Sequence, residues 1–487
     1  MKLRFFWGRT LIALFLLCLC NGLWARDPRL PAEIEWSDRS QLLELTNRGF
    51  IIEHPLKGKA EIWLAPEQFE SLQKEGWRVQ WIPDQAEQMW RTLSAKHAGE
   101  SRTLGNYHTY ADLTVALQSL AAQYPALCRL MSIGKSHQGR DFWIMKISDN
   151  PDIEEAEPEI RLIGSMHGDE PVGMELLLNL IQYLLENYEA DARIQRLVDE
   201  EEIWILPLMN PDGYEASPPK RWNANGIDLN RDFPDIVTDP NNSIAGRQPE
   251  TQAVMSFSAE RSIVLSANFH GGALVTCYPL DSPVNHNETK CPDDDFFREA
   301  ALTYSRENAR MFASKDFLHG ICVGADWYIV RGGIQDWTYH WMGGREIVVE
   351  MNEVKFPPES QLPTLWEENR ESLLKFLEIG LKEGVRGCVR DGAGNPLAAT
   401  VLIGGRSQYN NHPLYLYTDP QVGDYYCFLR AGSYNLTFAV SGYESKSFND
   451  VAVSAQIMTP LDVYFGALPT PTPTPTPCAA TNAWNLY

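Results

Sequence analysis

Long apolar runs are scarce in this chain. The one that stands out, Leu11 to Cys20, is short for a membrane span, and no later stretch stays apolar long enough to be one. No stable membrane span is therefore expected. Positive charge is scarce as well: 42 Lys and Arg stand against 64 Asp and Glu, for a formal charge of −22 and a pI near 4.9. Nucleic acid and anionic membrane, both held through clustered Lys and Arg, are thereby excluded as main partners, and the charge favours cationic substrates. Cysteine is sparse too, nine in 487 residues, and none shows the Cys-x-x-Cys spacing of a thiolate metal site.

What is present begins with an export signature. Lys2, Arg4 and Arg9 precede the apolar run, and the small residues Gly22 and Ala25 follow it, the n-, h- and c-region order of a secretory signal. Residues 1–25 are expected to be a signal peptide, and the protein to be secreted: extracellular, periplasmic or at the cell surface. An uncleaved anchor is the alternative reading of that run. Cys18 and Cys20 would leave with the signal, which leaves an odd seven. Export permits disulfides, and Cys277 with Cys291 or Cys388 with Cys427 are candidate pairs, although spacing does not set connectivity.

A chain of 487 residues implies two to four domains. Residues 26–104 read as a small α/β pre-domain or propeptide: a helix Gln41 to Thr46, a strand Ala60 to Leu64, a helix Pro66 to Lys74, a strand Trp77 to Ile82, then a polar linker Gln85 to Leu104. An inhibitory or folding-assisting propeptide and a plain accessory module fit it equally. Over residues 105–383 apolar strands such as Glu159 to Ile163, Ile203 to Leu208 and Ile263 to Phe269 alternate with helical patterns. The expected fold class is α/β, with a mixed, largely parallel sheet covered by helices on both faces. Over 384–466 the pattern turns to short β-like runs, among them Val385 to Val389, Ala399 to Ile403 and Val451 to Val463, as in a small antiparallel β-sandwich. Residues 467–487 hold a Pro-Thr alternation, an extended linker and tail.

The chemistry gathers around Met166-His167-Gly168-Asp169-Glu170, where a strand gives way to a helix running from about Pro171 to Tyr188. An imidazole and a carboxylate three residues apart can converge on one ion, and catalytic zinc usually takes three protein ligands, so a second histidine is wanted. Alone, His-x-x-Glu is equally an ordinary helix start with a favourable acidic first turn. His270, at the end of an apolar strand and followed by two glycines, supplies the third donor. In open α/β sheets, sites form beyond the carboxyl ends of strands, where both histidines stand. Arg221 and Arg231, with Asn230 beside the second, suit an anion: one guanidinium to grip a carboxylate, the other to face a developing oxyanion. Glu346 and Glu350 share one face of an apolar strand, and Glu350 is the candidate general base.

Taken together, His167-x-x-Glu170, Arg221, Asn230-Arg231, His270, Tyr328 and Glu350 resemble the zinc metallocarboxypeptidases of the carboxypeptidase A and B type. The phrases Ala224 to Arg231, His270-Gly271-Gly272, Pro292 to Asp295 and Gly324 to Tyr328 are most like the carboxypeptidase N/E/D branch. The resemblance runs over about Tyr107 to Phe465 and implies a metallocarboxypeptidase fold followed by a transthyretin-like β-sandwich. It further implies one Zn2+ per chain on His167, Glu170 and His270, with Glu350 as base and Arg221 at the oxyanion. Asn230, Arg231 and Tyr328 would hold the free carboxylate of a peptide or protein C-terminus, while Asp281 and Gln335 would face its side chain and select Arg or Lys. Asp169, Met174 and Arg331 depart from the branch's pattern, where many relatives carry Asn and Arg at the first two positions. Two rival readings remain: a cell-wall peptide amidase or deacylase on the same scaffold, and a non-catalytic binding protein. The sequence leaves oligomeric state open.

Overall fold

Two ordered stretches, residues 28–96 and 107–466, are described by the computed structural model. The expected signal peptide, the end of the expected linker and the Pro-Thr tail lie outside them. The first stretch opens with a four-stranded antiparallel sheet of β1 (Leu30–Glu35), β2 (Ile52–Leu56), β3 (Lys59–Leu64) and β4 (Val79–Trp81), in the order β2-β3-β1-β4. Helices α1 (Arg39–Asn47) and α2 (Pro66–Lys74) bury Leu42, Leu45 and Leu72 against its Ala32, Ile34 and Ile62. Asp38 starts α1 by accepting from the Ser40 amide while Gln41 reaches back, a capping box.

The expected linker from Gln85 is instead a helix, α3 (Gln85–Lys96). Its polar composition hid the signal. Asp84 Oδ1 accepts from the Glu87 amide at 2.9 Å, Glu87 pairs with Arg91 one turn on, and Ala86 and Leu93 pack with Tyr107, Phe356 and Leu362 far along the chain. Burial on a distant partner, not local pattern, decides this element.

From α4 (Tyr110–Gln123) onward the chain builds an eight-stranded mixed sheet. Its strands are β5 (Cys128–Lys135), β6 (Asp141–Ile147), β7 (Glu159–Gly164), β8 (Glu202–Leu206), β9 (Ile263–His270), β10 (Ala273–Tyr278), β11 (Ile321–Val323) and β12 (Arg345–Asn352). The order is β11-β10-β12-β9-β7-β8-β6-β5, and the central run β12-β9-β7-β8 is parallel. Strands buried on both faces read as continuous apolar runs, as β7, β8 and β9 do. Helix α5 (Val172–Asn187), with Leu176, Leu180 and Leu184 at one-turn spacing, covers one face together with the helix Leu362–Leu377. The other face is closed by Phe257, Phe233 and Trp337. Among the described residues no helix is long and apolar enough to cross a membrane.

The last domain packs two small sheets around Val385, Val401, Tyr425, Leu436 and Phe438. It is not wholly antiparallel: Gly384–Asp391 pairs antiparallel with Asp424–Phe428 but parallel with Met458–Pro460 and Val463–Phe465. The expected single run Val451 to Val463 breaks at a turn in which the Ile457 amide donates to the Ser454 carbonyl and Gln456 takes φ +62°. Phe428 stacks on Phe296 of the eight-stranded-sheet domain, and Arg406 reaches Asp295 at 2.7 Å, so the domains share a packed face.

Neither expected cysteine pair forms. Cys277 lies opposite Cys322 across β10 and β11, while Cys291 is a free thiol elsewhere. Cys388 is disulfide-bonded, yet Cys427 is free, because the register sets Cys427 against Val385 and Cys388 against Asp424.

Candidate active site

Three strands deliver three parts of the site from their carboxyl ends. β7 leads through Ser165 to His167, β9 ends on His270, and β12 sets Glu350 directly opposite His270 in parallel register. Glu170 stands at the entry to α5, its amide donating to the His167 carbonyl at 3.2 Å. His167 Nδ1, His270 Nδ1 and Glu170 Oε2 then form a triangle with sides of 3.0, 3.1 and 3.1 Å. The opposite ring edges are held from behind. His167 Nε2 lies 3.2 Å from Asp228 Oδ1, and His270 Nε2 lies 2.6 Å from Asn268 Oδ1. With Nε2 of each ring donating outward, two nitrogen lone pairs and a carboxylate oxygen face one another, an arrangement a cation resolves. Bonds of about 2.0–2.2 Å to a central zinc match that spacing.

Around this triangle the expected side chains line one cavity: Arg221, Asn230, Arg231, Asp281, Tyr328 and Glu350. Arg221 is buried, with Nε donating to Asp228 Oδ2 at 3.0 Å and Nη1 to Glu170 Oε1 at 3.3 Å. Burial alone would discharge it, but Asp228 and Glu53 hold its pKa well above the ordinary range. Burial, and then the charge on Glu170, pushes the Glu350 carboxyl well up, and its Oε2 has no hydrogen-bond partner. Asp281 is buried, and burial with the neighbouring Asp336 raises its carboxyl too. Gly324 makes room for it, since a Cβ there would collide with Asp281 Oδ1. Gln335 is buried two residues beyond Gly333 with both amide atoms unpartnered, and it does not line the cavity. Arg331 bonds Ser282 Oγ at 2.6 Å at the edge of this pocket.

Comparison with known proteins bears on this geometry. A zinc carboxypeptidase family profile matches residues 113–372. The Arabidopsis thaliana carboxypeptidase SOL1 is 40% identical over 346 residues, 70% of this chain and 69% of that protein. The chain belongs to the zinc carboxypeptidase family. The catalytic chain of human carboxypeptidase N is 37% identical over 382 residues, 70% of this chain and 82% of the relative. Human carboxypeptidase D is 42% identical over 368 residues; that match takes in 71% of this chain but only 26% of the much longer relative. Among solved structures, the carboxypeptidase A of Helicoverpa armigera superposes with a TM-score of 0.59 at 18% identity, over 73% of this chain and 98% of that one. Thrombin-activatable fibrinolysis inhibitor gives a TM-score of 0.54 at 16% identity, over 72% and 98%. Both likenesses show the metallocarboxypeptidase fold. The family's metal is zinc, and the His-Glu-His donor set fits it.

Two further residues enter the cleft from the N-terminal four-stranded sheet. Glu53 on β2 forms an ion pair with Arg221 and another, at 2.7 Å, with Lys355, while Trp63 Nε1 donates to it at 2.6 Å. His54, at φ +47°, points Nε2 to within 4.0 Å of Glu350 Oε1. Burial lowers its pKa to about 4, so the ring is neutral at neutral pH. The Trp327 indole, next to Tyr328, donates to the Pro55 carbonyl at 2.9 Å. With these groups in place the cleft keeps a cavity of only about 30 Å³. No pattern in the sequence marks Glu53, His54 or Lys355 as site residues. Asp228 was legible only as part of the motif Ala224 to Arg231, and Asn268 only as a neighbour of His270.

Proposed function

We propose that this chain is a secreted zinc metallocarboxypeptidase that removes C-terminal Arg or Lys from peptides and proteins. The observation that carries the specificity is Asp281: a buried carboxylate lining the same cavity as Arg231 and Tyr328, with space opened by Gly324 and no ion pair of its own among the described residues. Such a group is costly to bury unpaired, and a substrate ammonium or guanidinium compensates it. Asn230, Arg231 and Tyr328 hold the terminal carboxylate, which makes the enzyme require a chain end. Arg221 faces the oxygen that gains charge as the carbonyl is attacked. Glu350 takes the proton from the attacking water and returns it to the departing amine. Zinc, when bound by His167, Glu170 and His270, polarises the scissile carbonyl and makes water a better nucleophile.

The same reading treats residues 26–104 as a pre-domain that keeps the enzyme latent, with Glu53 paired to Arg221 and Lys355 and His54 over Glu350. Residues 384–466 are read as a transthyretin-like module packed on the catalytic domain. Blocked dipeptides ending in Arg, Lys, Phe, Leu or Glu test the proposal, assayed with and without a zinc chelator. Both the full chain and its Glu53→Ala variant are used, so that latency is not mistaken for inactivity. Chelator-sensitive release of Arg and Lys is expected. Release of Phe or Leu instead would sink the basic pocket, and an open but inactive variant would turn attention to cell-wall peptides.

A further inference from the structure

β10 and β11 run parallel, and their register sets Cys277 opposite Cys322. Both are free thiols with Sγ atoms 2.7 Å apart. Neighbouring strands lie about 4.8 Å apart, inside the Cα separation of roughly 4.4–6.8 Å that a disulfide accepts. Neither strand has to shift for the two sulfurs to join. Cys277 is buried in the wall of the cleft and Cys322 is half-buried beside Phe317 and Trp327, in an apolar patch shared with Val275 and Val348.

Each of these strands runs straight into one half of the pocket. Cys277 stands four residues before Asp281, and Cys322 stands two before Gly324, where the turn carrying Tyr328 begins. Beyond the strands the halves are joined by backbone hydrogen bonds, Ala325 amide to Leu280 carbonyl at 2.8 Å and Val330 amide to Asp281 carbonyl at 3.1 Å. We infer that Cys277 and Cys322 form a disulfide that clamps the Asp281 half of the pocket to the Tyr328 half. The effect on substrate rests on the proposed roles of Asp281 and Tyr328; the covalent site does not.

The exchange balances with a small disulfide such as oxidised glutathione. The more exposed Cys322, as thiolate, attacks it, forming a mixed disulfide and releasing one glutathione thiolate. Cys277, deprotonated in turn, attacks Cys322 Sγ and expels the second. Two protein thiols give up two protons and two electrons, and the oxidant becomes two thiols.

Full-length protein is equilibrated with oxidised glutathione, alkylated with iodoacetamide, digested without reductant and mapped by mass spectrometry. A peptide cross-linked through Cys277 and Cys322 is expected, and it disappears in Cys322→Ser. Recovery of both cysteines as separate alkylated peptides would overturn the inference. In the Glu53→Ala chain, reduction should raise KM for a substrate ending in Arg severalfold with kcat nearly unchanged. Cys277→Ser and Cys322→Ser should match that reduced KM and no longer respond to reductant, which separates this bond from the one at Cys388. An unchanged KM despite the cross-link would overturn the clamp. A cross-linked protein that releases neither Arg nor Lys would instead refute the substrate reading and leave the covalent site standing.

Discussion

Glu346 and Glu350 share one face of β12, and their surroundings give them opposite tasks. Glu346 is buried and saturated: Arg161 donates to it at 2.7 Å, Ser266 at 2.7 Å, Thr338 at 2.6 Å and the Asn268 amide at 2.7 Å. Through Asn268 that buried ion pair steadies the ring of His270, so Glu346 is a positioning residue one step behind a candidate metal ligand. Glu350, two repeats of the alternation on, keeps an oxygen unbonded in the cleft. Alternation along a strand identified the face and the family resemblance singled out Glu350; the packing shows how differently the two carboxylates are held. Glu350→Gln should keep its zinc and lose turnover by about 10²–10⁴-fold, the usual worth of a general base. Metal analysis alongside kcat checks this, and turnover persisting with zinc bound would reassign the base.

Among the elements, β2 reaches into the candidate site from the greatest distance along the chain and left the faintest trace. Its five residues, Ile-Glu-His-Pro-Leu, hold a proline and a positive-φ histidine, neither of which advertises a strand. The segment is ordered by its neighbours: β3 on one side, and Arg221, Trp327 and Lys355 of the catalytic domain on the other. Charge-assisted bonds of this kind contribute about 1.5–3 kcal/mol each. Glu53→Ala should therefore raise activity on a small substrate by about tenfold or more, while Lys57→Ala, on a well-exposed side chain paired with Asp316, should change it little. Equal activity of the Glu53→Ala variant and the full chain would remove the plug. The strands of the central sheet were easier to read, because double-sided burial writes itself as an apolar run and needs no knowledge of the partner.

At the scale of the whole molecule, the junction between the catalytic domain and the last domain is rich in confined carboxyls. Tyr426 donates to the Ala156 carbonyl at 2.9 Å, and Glu154, Glu157, Glu159 and Glu202 gather nearby with Asp419 and Asp424. Burial, followed by Glu155 and Asp149, pushes Glu157 up to about 9; burial and Glu202 push Glu154 to about 7. A carboxyl whose folded pKa lies above its unfolded value binds more protons folded than unfolded, so its contribution to stability falls as pH rises between the two values. Glu157→Gln, which cannot ionise, should gain on the parent in stability as pH goes from 5 to 9, by up to about 1.4 kcal/mol per pH unit in the steep part, read as a widening difference in melting temperature. A difference that stays flat or shrinks across that range would show that Glu157 ionises freely in the folded protein.

The family was legible in the residues themselves, because its motifs put particular side chains at particular chain positions and the ends of buried strands announce where they stand. The seats of His167, Glu170, His270, Arg221 and Glu350 all came from that local logic. What the tertiary structure alone decided are the relations between distant segments: Asn268 and Asp228 behind the histidines, Cys277 against Cys322, α3 as a helix, and β2 laid into the cleft. None of these carries a signature along the chain. Each depends on a partner tens to hundreds of residues away, and side-chain contact is specified only when the backbone brings both halves together.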